Sequence, residues 1–190
     1  MLVPAAALFL AYTLLADNLG IRYILPVLPF AFLLGGAALA RMPRAAVAAM
    51  AVWVVVAAAG IWPDHLSYFN ESACLLKEHS KVGLDGGSQC GIYWLDDSNV
   101  DWGQGYKQLK SWMDRHGGGR MVTLAGLASF PANTYGFPVR EVPLQDFPPK
   151  PVPELWAASA HVVARATGSW LQTTQPTAIV GHAIYVYDVK

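Results

Sequence analysis

Residues 23–40 (YILPVLPFAFLLGGAALA) and 45–62 (AAVAAMAVWVVVAAAGIW), joined by Arg41-Met42-Pro43-Arg44, decide how this chain folds. Each run is uncharged and about as long as the ~20 residues that cross a hydrocarbon core as a helix, so each predicts a transmembrane helix. Residues 1–16 are also uncharged, but they are shorter and lack the basic start of a secretory signal. They predict a third span that is truncated or tilted. Pro26 and Pro29 fall at the start of the second run, where a kink is tolerated if neighbouring helices satisfy the freed carbonyls. Gly35, Gly36, Ala37 and Ala38 supply the small face on which helices pack in lipid.

Charge separates this region from the rest. Of 13 basic and 13 acidic residues, only Asp17, Arg22, Arg41 and Arg44 fall within residues 1–63. The expected fold class is therefore a membrane all-α region of two to three transmembrane helices (1–16, 23–40, 45–62), then a small soluble α/β domain. Residues 63–90 are the membrane-proximal connection and residues 91–190 the α/β domain. Two arginines in the short 41–44 link place it in the cytoplasm by the positive-inside rule. The α/β domain is then extracytoplasmic on a multi-pass integral membrane protein, in the inner membrane if the source is bacterial. Trp62, Tyr68 and Phe69 suit the outer interfacial belt, so residues 65–78 read either as a helix on the membrane surface or as a soluble helix with an aromatic core face.

Within 91–190 the pattern alternates. A short apolar run at 92–95 predicts a strand, 104–116 a helix closed by Gly117-Gly118-Gly119, and 121–125 a second strand. Residues 131–137 predict a short helix or turn. The proline-rich run 142–153 predicts a loop or lid, because each proline lacks a donor and restricts its predecessor. After it, 155–163 predicts a strand, 165–173 a short helix and 178–189 one or two strands. Such alternation favours a sheet with helices packed on it.

Net charge is zero and no basic cluster is present, which excludes a nucleic-acid binder. Cys74 and Cys90 are close enough in sequence to form a disulfide on an oxidising side. A zinc site built on Cys74, His79 and Cys90 lacks a fourth ligand and short Cys-x-x-Cys spacing. Asn70-Glu71-Ser72 matches a glycosylation acceptor, a weak three-residue signal. His161 and His182 lie in apolar, strand-like surroundings that suit structural roles.

The densest polar stretch is Asp97-Ser98-Asn99-Val100-Asp101-Trp102-Gly103-Gln104. Polar groups bunched in an apolar chain either bond one another or serve a ligand, since burying them unpaired costs roughly 1–3 kcal/mol each. Asp97, Asn99 and Asp101 alternate like the first ligands of a calcium loop, but Trp102 and Gln108 stand where that loop needs Gly and Glu. A divalent cation in another geometry stays open as cofactor, and no metal ligand is assigned. The other reading is a strand-to-helix turn, with Asp101 capping the following helix and Trp102 stacking on a sugar or filling the core. Arg22, at the outer mouth of a span, suits either a phosphate clamp or a headgroup anchor.

Arg22-Tyr23-Ile24-Leu25-Pro26 ahead of one span, Tyr68-Phe69-Asn70-Glu71 after the next, the octapeptide 97–104, and the ending 179–188 occur in the order of the carboxy-terminal part of family 39 glycosyltransferases. The chain thus resembles the membrane enzymes of GT-C type that include protein O-mannosyltransferases and aminoarabinose transferases. The resemblance implies transfer of a sugar from a polyprenyl-phosphate carrier to an acceptor lipid, glycan or protein, with the bilayer as a further partner. It implies substrate binding by Arg22, Tyr23, Asn99, Trp102 and Gln104. The acidic residue that activates the acceptor in such enzymes lies in a first outer loop with no counterpart here. The chain is therefore expected to be a carboxy-terminal fragment, inactive alone, with Asp97 and Asp101 the only local catalytic candidates. Gly105 departs from relatives that carry Asp there, and residues 74–91 look like an altered insertion. The alternatives are a non-catalytic membrane-anchored module that binds a glycan or protein, and a structural subunit of a membrane complex.

Overall fold

Residues 2–15, 25–68, 100–143 and 146–190 are described by the computed structural model. The chain divides into two units, Met1–Val56 and Ala57–Lys190.

The first unit is helical. Helix α1 (Leu2–Leu15) has 14 residues, α2 (Leu28–Leu39) has 12 and α3 (Arg44–Ile61) has 18. At 1.5 Å per residue these are about 21, 18 and 27 Å long, against about 30 Å of hydrocarbon. Among the described residues only α3, with a mean hydropathy of 2.0, is long and apolar enough to cross a bilayer by length and composition. The expected fold class of two to three transmembrane helices is corrected accordingly: one helix qualifies, and a five-stranded sheet with helices makes up much of the rest. Prolines explain where α2 begins. Leu25–Val27 forms a 3-10 turn around Pro26, and Pro29 sits in the first turn of α2. A residue without a donor and with fixed φ starts a helix more readily than it continues one.

The second unit is built on a mixed sheet. Its strands are β1 (Val122–Ala125), β2 (Val139–Glu141), β3 (Leu155–Ser159), β4 (Ala178–Val180) and β5 (Ile184–Asp188), in the order β2-β1-β3-β5-β4. β1 runs parallel to both β2 and β3, whereas β5 is antiparallel to β3 and β4. Side chains alternate across the sheet as the period of two requires. Val122, Leu124, Leu155, Ala157, Ile184 and Val186 pack with Leu109 and Met113 on one face. Trp156, Ala158, Tyr185 and Tyr187 pack on the other with Val162, Trp170 and Leu171. The sheet therefore lies between α4 (Tyr106–Trp112) and the pair α5 (Ala160–Arg165) and α6 (Trp170–Thr173).

Several expectations shift in detail, among them the helix expected over 165–173, which forms only at Trp170–Thr173. The strand expected over 155–163 stops at Ser159, whose hydroxyl accepts the Val162 amide and starts α5. A side-chain oxygen at that position satisfies a donor that a continuing strand would give to a neighbour. The proline-rich run is not a free lid. Phe147 lies 5.0 Å from the Trp156 ring and 5.5 Å from the Trp170 ring. Both indoles donate back to the strap, Trp156 to the Val152 carbonyl at 3.0 Å and Trp170 to the Pro148 carbonyl at 3.1 Å.

Candidate functional site

Chain order makes β1 the pivot of the sheet: the chain leaves β1 for β2 on one flank, then crosses to β3 on the other. At such a reversal the loops leaving the carboxyl ends diverge and open a crevice, the usual place for ligands in parallel sheets. The crevice is present here as a cavity of about 490 Å³ lined by Tyr106, Gly126, Ser129, Phe130 and Glu141 among others.

The turn at 100–105 flanks this crevice. Asp101 is buried, and its Oδ1 accepts the amides of Gly103 at 3.1 Å and Gly105 at 3.3 Å. It thus closes the turn ahead of α4 and does not cap the helix itself, which begins at Tyr106 after Gly105. Its Oδ2 is buried with no hydrogen-bond partner among the described residues. Burial pushes the Asp101 carboxyl up to about 6, against the lowering effect of the Gly105 and Gly103 amides. Gln104 folds back on the same turn, donating to the Val100 carbonyl at 2.9 Å and accepting the Trp102 amide at 2.6 Å.

Trp102 is 45% exposed, and its indole N–H donates to Ser129 Oγ at 3.1 Å, which ties the turn to the loop after β1. Gly103 permits that approach: a Cβ there would lie 2.4 Å from the Ala128 Cβ, and its φ is +94°. Gly126 does the same for Tyr106, whose hydroxyl would stand 2.5 Å from an added Cβ. Burial, followed by the nearby charges of Asp101, Glu141 and Tyr135, raises the Tyr106 phenol well above its ordinary range. Glu141 ends β2 and accepts the Ala132 amide at 2.7 Å. Phe130 is 67% exposed and Leu127 42%, so the crevice has an apolar rim beside the Glu141 carboxyl and the Tyr106 phenol.

Comparison with protein-family models, curated proteins and solved structures finds no match.

Of the residues singled out in the sequence, Asp101, Trp102 and Gln104 come together here, with Gln104 spent on the turn itself. Arg22, Tyr23, Asp97, Asn99, Cys74 and Cys90 lie outside the described residues. Among the described residues no group of three His, Cys, Asp or Glu side chains is placed to hold a metal ion. Tyr106, Gly126, Ser129, Phe130 and Glu141 escaped the sequence reading. The signal was a glycine directly after an apolar strand with an exposed aromatic four residues on, a loop built for access more than for packing. The arrangement suits a polyhydroxylated ligand: aromatic faces cover its apolar side, and Glu141 and Tyr106 offer acceptors and a donor.

Proposed function

We propose that this chain is the acceptor-side part of a membrane glycosyltransferase, one that moves a sugar from a polyprenyl-phosphate carrier to an acceptor on the extracytoplasmic side. The observation that carries the proposal is the crevice at the carboxyl end of β1, lined by Phe130, Tyr106, Ser129 and Glu141, with Trp102 of the octapeptide tied to its wall through Ser129. The resemblance of residues 22–30, 68–71, 97–104 and 179–188 to family 39 enzymes supports the chemistry, and the apolar α3 supports a membrane location. In this reading the crevice holds the acceptor while the reaction occurs elsewhere in the parent enzyme.

The carboxyls favour binding over catalysis at this spot. Asp101 is buried, with Oδ1 held by two amides of the turn, and Glu141 gives Oε1 to the Ala132 amide, so both carboxyls serve the loops they close. That observation also keeps alive a non-catalytic glycan-binding module. Glycosyl transfer by membranes expressing the complete open reading frame separates the two. Trp102→Ala should raise the acceptor KM about tenfold, equivalent to about 1.4 kcal/mol of lost contact, and leave donor KM unchanged. Absence of turnover in the wild type, with oligosaccharide binding retained and sensitive to Trp102→Ala, selects the module.

A further inference from the structure

A second cavity of about 490 Å³ lies away from the crevice, lined by Pro63, Asp64, Lys107, Gln108, Ser111 and Arg115 among others. Lys107, Ser111 and Arg115 succeed one another at intervals of four along α4 and the wide helical turn that continues it, so they share one stripe. Lys107 and Arg115 are exposed, and neither forms an ion pair among the described residues. Lys110, off this stripe, is instead paired with Asp114.

Among the described residues Asp64 is the one acidic residue of the lining, and it is engaged: Oδ1 accepts Gln108 Nε2 at 2.9 Å, and Oδ2 lies 4.0 Å from His182 Nε2. Gln108 Oε1 is buried and has no donor among the described residues. Two cations outside any ion pair among the described residues suit a ligand that carries a phosphate.

The place of the cavity selects the source of that ligand. The last residues of α3, Ala57–Ile61, belong to the same unit as the cavity, and Pro63 and Asp64 of its wall follow α3 directly. Trp62 and Leu66 are 73% and 65% exposed beside it, an apolar collar of the kind found at a membrane interface. We infer that this cavity receives the headgroup of an anionic phospholipid, its phosphate between Lys107 and Arg115, where α3 leaves the bilayer. This rests on the membrane location in the proposed function.

Hydrogen exchange of the full chain in nanodiscs tests it, read over the peptides covering residues 107–115. Discs of phosphatidylglycerol mixed with phosphatidylcholine should slow exchange there about fivefold relative to phosphatidylcholine alone, the effect of one cation near an anionic surface. Lys107→Ala with Arg115→Ala should abolish the difference, and Lys110→Ala should leave it intact. Failure of the chain to enter discs overturns the membrane location and this inference with it. Entry into discs with equal exchange in both lipids overturns the headgroup site alone. The inference also falls if Lys110→Ala is as damaging as the double variant, or if inorganic phosphate reproduces the protection in phosphatidylcholine discs.

Discussion

Asp101 holds two amides through one oxygen while the other stays buried without a donor among the described residues. Its carboxyl, raised from 3.8 to about 6, keeps a proton in the folded state that the unfolded chain has already released. Between about pH 4 and pH 6 the folded state therefore binds more protons, so stability falls as pH rises through that window and levels off above it. The size is about 3 kcal/mol at most. Asp101→Asn retains an acceptor for Gly103 and Gly105, so urea unfolding of this variant should lose the slope between pH 4 and 6 and match or exceed the wild type at pH 7. A second test concerns close approach. Gly126→Ala sets a methyl group against the Tyr106 hydroxyl and should cost about 1–3 kcal/mol. Adding Tyr106→Phe should recover most of that loss in a double-mutant cycle, an outcome not expected if the backbone at 126 alone were at fault.

Secondary-structure elements here are set by single hydrogen bonds as much as by pattern. The apolar run 155–163 reads as one long strand, yet Ser159 divides it into β3 and α5 by accepting the Val162 amide. Ser159→Ala should destabilise the unit by about 1 kcal/mol through the lost cap, measurable as a lower urea midpoint with unchanged slope. The strap formed by residues 146–154 shows the converse. Its prolines forbid regular structure, but two indole donors and the Phe147 ring hold it on the core. Trp170 stacks on Phe147, meets the edges of Trp156 and Tyr187 and bonds Pro148. Trp170→Ala should therefore cost about 3–5 kcal/mol and expose the strap to proteolysis.

For the whole molecule, α3 is the element whose surroundings matter most. Its apolar window is only 6% buried, and Val52, Trp53 and Val54 are exposed with no core around them among the described residues. If the helix lies in a bilayer, Val52→Arg near its centre should disfavour insertion by about 2.5–3.5 kcal/mol, and carbonate extraction of membranes should release the variant but not the wild type. Retention of both would show that α3 is not the anchor.

Composition and order alone located the uncharged amino-terminal region, the α/β alternation, and a polar turn, described from Val100 onward, ahead of a helix, because these follow from local periodicity and from where charges are absent. The span expected at α2 fails because hydropathy adds over a window while Pro26 and Pro29 act on one backbone position each. Only tertiary structure brought Glu141 and Phe130 together with Tyr106, tied Trp102 to Ser129, and showed which polar groups of the turn serve the turn itself. The reason is that β2 pairs with β1 across a connection with no periodic signal, and three-residue strands carry almost none. A crevice at a reversal in strand order is a property of the sheet's winding, which no single stretch of sequence encodes.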